Sequence, residues 1–123
     1  MDNKDHYRVL SAIKRTFSRS RTALAARQAA KYPRKKGPRG GAQFKCSDCN
    51  KPFGQKGIQV DHIEPVVPIG KTSREMTWDE LVDRLYCDIE NLQVLCTKCH
   101  KKKSAEERSL RQDVKRQLKD GDS

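Results

Sequence analysis

NLQVLCTKCH, residues 91 to 100, holds an apolar strand, a Cys-x-x-Cys knuckle and a histidine in ten positions, and Lys101, Lys102 and Lys103 follow it. Two earlier pieces complete it: a second knuckle, Cys46-Ser47-Asp48-Cys49, and the tripeptide Val60-Asp61-His62. Two such knuckles can hold one zinc ion, because thiolates at that spacing reach tetrahedral positions ~2.3 Å from the metal. Four thiolates saturate the ion, so Cys46, Cys49, Cys96 and Cys99 form a structural site with no open position for a substrate. Closing it brings the neighbours of both knuckles together, so that Asp61, His62, Asn91 and His100 meet in space. The chemistry is expected there. Zinc staples of this kind also occur in inert nucleic-acid binders, so the quartet alone does not imply an enzyme.

The rest of the chain bounds the reading. At 123 residues with 34% hydrophobic residues, it has one domain with appendages and a thin core, which a structural metal would stabilise. No apolar run approaches the ~18 residues of a membrane span, and the start MDNKDHYRVL lacks the basic and apolar parts of a signal peptide. Four of the five cysteines lie in knuckles, which favours metal binding in a reducing cytoplasm over a disulfide framework. The net charge is +11, and residues 1–43 carry twelve Lys/Arg against two acids. The basic excess therefore sits in the N-terminal third and points to a polyanion. A merely soluble basic tail is the bland alternative.

Taken in order, Tyr7 to Ala30 has helical spacing and composition, with Val9, Leu10, Ile13 and Phe17 on one face and a break at Ser18–Thr22. His6 reads as a solvated terminal histidine. Lys31 to Gly41, KYPRKKGPRGG, reads as a linker whose cations, Arg34, Lys35, Lys36 and Arg39 among them, seek phosphate. Phe44 leads into the first knuckle, expected on a turn-rich loop, with Phe53 against the zinc. Ile58 to His62 reads as a strand, and since strand neighbours point to opposite faces, Asp61 and His62 serve one site only if the strand ends there. A loop over residues 65–77 follows. Trp78 to Tyr86 reads as a short amphipathic helix with Thr77 and Glu80 as a capping box, and Trp78 as core. Cys87 reads as a buried thiol. Leu92 to Leu95 is the return strand of a hairpin, and Thr97 starts the helix that carries Cys99 and His100. Ser104 to Glu107 can open a new helix, with Leu110, Val114 and Leu118 as its buried stripe and residues 120–123 fraying.

CSDC, VDHIEPV and ENLQVLCTKCHKKK, in that order, resemble the zinc-stapled HNH endonucleases of phages and bacteria, over roughly residues 44 to 104. The resemblance implies roles. His62 is the general base, and Asp61 is a ligand of the catalytic ion, where many relatives have histidine. An aspartate there favours a harder ion such as Mg²⁺ or Mn²⁺, with other divalent ions open. Asn91 holds backbone of the long connection and so positions His62, and His100 is the second protein ligand. A third ligand position falls on Ser104, a poor one. Glu64 reads as solvated.

The expected fold is α+β, a small ββα-metal (His-Me finger) fold with a four-cysteine structural zinc and flanking helices. Residues 1–43 are read as a basic helical arm and linker, 44–104 as the nuclease core, and 105–123 as a C-terminal helix and tail. The resemblance implies metal-dependent hydrolysis of DNA phosphodiesters, leaving 5′-phosphate and 3′-hydroxyl ends, and the charge distribution puts Arg34, Lys35, Lys36, Arg39 and Lys101 to Lys103 on the nucleic acid. The rival readings are a non-catalytic zinc-finger DNA binder and a nuclease acting on RNA or structured DNA. DNA is the expected partner in a cytoplasm (the host's, for a phage protein), without a membrane, and a homodimer or phage packaging proteins are candidate partners.

Overall fold

The computed structural model describes residues 1–121, and within them it leaves out the side chains of Arg34, Lys35 and Asp120. Two helices open the chain, α1 (Asn3–Phe17) and α2 (Arg21–Ala30). Asp2 and Ser20 cap them, accepting from the backbone N–H of Asp5 and Ala23, and the break between them lies where the polar run Ser18–Ser20 offers the backbone alternative partners. Strands β1 (Lys31–Lys36), β2 (Ala42–Lys45) and β3 (Pro52–Gly54) form one antiparallel sheet in that order. Strand β4 (Ile58–His62) pairs with β5 (Leu92–Cys96) as a separate antiparallel hairpin, from Ile58 opposite Cys96 to His62 opposite Leu92. Helix α3 (Trp78–Leu85) lies in the connection between them, and α4 (Thr97–Gly121) follows β5 without a break. The chain is thus mixed helix and sheet, and no helix is long and apolar enough to cross a membrane.

Alternation along the hairpin divides its two faces. Ile58, Val60, Leu92 and Val94 point to a core shared with the N-terminal helices, in which Phe17, Ala23 and Ala26 pack with Leu85 and Leu92. Phe44 joins Ile58 and Val94 further along, with Ala30 and Phe53 at the edge. A third cluster surrounds Cys46, Leu95 and Cys96, and Phe53 packs against it as expected. Burying a Leu or Phe side chain contributes roughly 1.5–3 kcal/mol, so the N-terminal helices are part of what holds the hairpin. An arm standing apart from the core is the wrong picture for α1 and α2.

Other expectations are corrected for tertiary reasons. Lys31–Gly41 is a strand and turn, not a linker, because β2 satisfies its backbone groups; Pro33 is tolerated because β1 is an edge strand. The side chains of Arg34 and Lys35 lie outside the described residues, while Lys36 and Arg39 are exposed. No new helix begins at Ser104, since α4 runs through it with good helix formers on either side. The stripe expected to be buried is not: Leu110 and Leu118 are 53% and 64% exposed, because α4 outruns the core, and Val114 alone is half-buried, near Gly70. Asp120 and Gly121 are helical, and the rest of the expected fraying tail, residues 122–123, lies outside the described residues.

Helix α3 carries the expected capping box, Glu80 N–H donating to Thr77 Oγ1 at 3.1 Å and Thr77 N–H to Glu80 Oε1 at 3.2 Å. Trp78 is half-buried rather than central, and Cys87 is half-buried too. His6 is not solvated but 4% exposed, with Nε2 2.9 Å from Ser73 Oγ and its ring 4.8 Å from that of Trp78. Its partners lie about seventy positions downstream, where no local pattern reaches.

Candidate active site and cysteine cluster

The first knuckle sits on a turn after β2, and Asn50 adopts φ 61° to leave it, a left-handed conformation that asparagine tolerates. The second straddles the junction of β5 and α4, where Cys99 N–H donates to Cys96 Sγ at 3.4 Å. Ser47 N–H donates to Val94 O at 2.8 Å and ties the knuckles together. The four sulfurs lie within 4.8 Å of one another. Thiolates ~2.3 Å from a central ion would be ~3.8 Å apart, so the quartet is placed to hold one metal ion with a small contraction. Burial pushes the Cys46 thiol up, but hydrogen bonds from the backbone of Cys96, Cys49 and Asp48 outweigh it and hold it at about 6. The Cys99 thiol is pushed up, first by its hydrogen bond with the Cys96 sulfur and then by burial. Four sulfur donors form a soft set that suits a thiophilic cation.

At the other end of the hairpin opens a cleft of about 530 Å³, lined by Asp61, His62, His100, Lys103 and Glu107 and walled by residues of α1, α2 and the loop after β4. Asp61 and His62 follow the pleat to opposite faces of β4, and the strand ends at His62, so the cleft wraps over that end and reaches both. On the α4 side, Asp61 Oδ2 accepts from Gln93 Nε2 at 3.0 Å and from Lys103 Nζ at 2.9 Å. Its other oxygen, Oδ1, stands 3.7 Å from His100 Nε2. One ion ~2.1 Å from each atom would span that gap, and with Oδ2 occupied, Oδ1 is the atom that could hold it.

On the core side, His62 Nε2 lies 2.7 Å from Leu85 O, and the ring stacks at 5.0 Å from Phe17. A carbonyl only accepts, so Nε2 donates and the neutral ring keeps its lone pair on Nδ1. Asn91 Oδ1 accepts from Glu64 N–H at 2.9 Å, Nδ2 donates to Glu64 O at 3.3 Å, and Asn91 O accepts from Ile63 N–H at 2.8 Å. These bonds pin the two residues that follow His62. Glu64 itself is exposed, and Ser104 lines the cleft.

Several residues that the sequence did not place beside Asp61 and His62 build this site. Lys103 was expected on phosphate; instead its Nζ donates to Asp61, to Glu107 at 2.6 Å and to His62 O at 2.7 Å, while Lys101 and Lys102 are exposed. Burial disfavours its charge, yet bonds to Glu107 and Asp61 outweigh this and raise its pKa above the ordinary lysine value. Arg84 donates to Pro65 O and Val66 O, and Arg111 to Val67 O, Pro68 O and Lys71 O, which fixes the loop after β4 as a wall. Gln93 had a local signal, being the residue directly across the hairpin from Asp61. The other partnerships had none.

Residues 79–106 match the family model described as HNH endonuclease. A segment of 55 residues is 40% identical to a protein of Lactococcus phage SK1 named "Probable HNH endonuclease", covering 44% of this chain. That segment spans 48%, about half, of the relative. No solved structure matches the chain. The resemblance to the HNH endonuclease family read from CSDC, VDHIEPV and ENLQVLCTKCHKKK is supported by both matches.

Proposed function

We propose that this chain is a metal-dependent endonuclease that hydrolyses DNA phosphodiester bonds in the cleft at the end of the β4–β5 hairpin. The observation that carries the reading is the meeting there of two devices. A histidine has its Nε2 proton committed to Leu85 O, and a carboxylate–imidazole pair 3.7 Å apart is set to bind a cation. In this reading the hairpin and the first turns of α4 are a ββα-metal finger within a nuclease core of residues 44–104.

His62 Nδ1 takes a proton from the attacking water, and the Leu85 carbonyl steadies the imidazolium that results. Asn91 keeps His62 in place through the backbone of Ile63 and Glu64. Asp61 and His100 hold a divalent ion, Mg²⁺ or Mn²⁺ by the hardness of the aspartate. Such an ion, when bound, neutralises charge on the phosphate and the departing oxygen. Gln93 and Lys103 orient Asp61. Zinc is the ion we assign to the cysteine quartet, because four thiolates satisfy its tetrahedral coordination. Lys36, Arg39, Lys101 and Lys102, which are exposed, contact the backbone of the nucleic acid.

The test is incubation of reduced protein with supercoiled plasmid, first in EDTA and then with Mg²⁺ or Mn²⁺. Nicked or linear product that needs the ion is expected. Tight binding without ion-dependent cleavage would reduce the chain to a DNA-binding zinc protein. Preference for a structured RNA over the plasmid would move the substrate class.

A further inference from the structure

We infer that Arg27 and Lys14 form a phosphate-binding subsite on the cleft wall built by α1 and α2, with Arg27 donating to a non-bridging oxygen of the phosphodiester being cut. This rests on the nuclease reading above and deepens it. Four cationic side chains line the cleft: Lys14, Arg27, Lys103 and Arg111. Two of them are already engaged within the chain. Lys103 holds Asp61, Glu107 and a backbone carbonyl, and Arg111 holds three carbonyls of the loop wall. Among the described residues, the only acids lining the cleft, Asp61 and Glu107, are both taken by Lys103. Lys14 and Arg27 have no ion pair among the described residues.

Arg27 is singular in another respect. Its Nε is the one buried side-chain polar atom among the described residues with no hydrogen-bond partner. It follows Ala26, which is buried with Ala23, Leu85 and Leu92, and is itself half-buried on the cleft wall. A guanidinium donor kept from water without an acceptor is unfavourable, and an oxyanion entering the cleft relieves that. The guanidinium fork matches two phosphate oxygens, and Lys14 adds a point charge on the same wall. The cleft also holds His62 and the Asp61–His100 pair, so the phosphate within reach of this wall is the one at the reacting bond. The N-terminal helices then contribute more than diffuse attraction for a polyanion: they present a fixed cation to the phosphate.

The experiment uses the full chain with Arg27→Ala, Arg27→Lys and Lys14→Ala. It measures single-turnover cleavage of a short DNA duplex with Mn²⁺, and duplex binding against salt in EDTA. Arg27→Ala is expected to slow cleavage by ~10²-fold, as for loss of one donor to a developing oxyanion. Arg27→Lys recovers only part, having the charge but not the fork. Arg27→Ala and Lys14→Ala each lower the salt-dependence slope of binding by about 0.9 for every phosphate no longer neutralised, while Arg27→Lys, which keeps the charge, leaves the slope as in the wild type. Should Arg27→Ala fail to fold, Arg27→Lys, which keeps the apolar stem, carries the test at an unchanged melting temperature. Folded Arg27 variants with wild-type cleavage and wild-type slope overturn the subsite. A wild-type chain that binds duplex without ever cleaving it defeats the nuclease reading instead, and the binding slope of Arg27→Ala still decides whether Arg27 meets a phosphate.

Discussion

The two ends of the β4–β5 hairpin are built from opposite materials. At the Ile58–Cys96 end, four sulfurs converge, two of them buried, with Leu95 and Phe53 packed around them. At the His62–Leu92 end, four strand positions or roughly 13 Å away, the groups are a carboxylate, imidazoles and cations around an open cleft. A tetrahedral metal ion at the first end would use every donor it offers. The second keeps Oδ1 of Asp61 and Nδ1 of His62 available, and spends other residues on holding Asp61 Oδ2 and His62 Nε2. A saturated site fixes positions; a partly satisfied one can exchange ligands. The hairpin transmits the first property to the second, because its register sets where Asp61 and His62 stand relative to His100, three residues beyond Thr97 in α4.

The sharpest way to break the comparison is Cys96→Ala. Structural zinc sites in small domains contribute on the order of 10 kcal/mol, and the core here is thin. The variant is expected to lose bound metal and its cooperative melt together, read by metal content and circular dichroism. A folded, active Cys96→Ala protein would show that the closed end does not support the open one. His62→Ala should do the reverse: keep metal, melting curve and DNA binding while cleavage falls ~10²–10⁴-fold, the range for loss of a general base. Wild-type cleavage by that variant would remove His62 from the chemistry.

Gln93→Ala tests whether the open end is held by its supports. Asp61 Oδ2 loses one of its two donors, and the concentration of Mn²⁺ giving half-maximal cleavage should rise ~10–100-fold with the zinc unchanged. An unchanged metal requirement would leave Lys103 as the sufficient orienter. The smallest effect lies far from both ends, at His6. Burial, and then the charge of Arg74, lower its pKa in the folded chain. The unfolded chain therefore takes up a proton first as pH falls, so stability is complete above the ordinary histidine value of about 6.5 and declines below it. Melting temperature followed from about pH 7.5 to 5.5 should fall less in His6→Phe than in the wild type. Equal slopes would mean that other groups set the acid limb.

What could be read along the chain were features carried by a few neighbouring residues. The two knuckles, the strands expected at Ile58 to His62 and at Leu92 to Leu95, and the Thr77–Glu80 box each need only local geometry, and each is found where expected. The break between α1 and α2 is of the same kind. These are short-range consequences of backbone periodicity and capping, and they do not depend on what the rest of the molecule does. The strand β1 was not legible, because an edge strand with Pro33 exists only if β2 lies beside it. Nor was the exposure of Leu110 and Leu118, since spacing marks a stripe but not whether anything covers it.

The sequence by itself determined the cysteine quartet and the hairpin, because metal-ligand spacing and strand pattern are written in consecutive residues, and the resemblance to the HNH family singled out the candidates Asp61, His62, Asn91 and His100. Only the tertiary structure decided which atoms those candidates offer. It gave Oδ2 of Asp61 to Gln93 and Lys103, and Nε2 of His62 to Leu85. It also brought Lys14 and Arg27 from the N-terminal helices to the cleft wall and buried His6 against Ser73. Each of these pairs residues far apart in the chain, and whether such groups meet depends on how every intervening element packs, which no short stretch of sequence encodes.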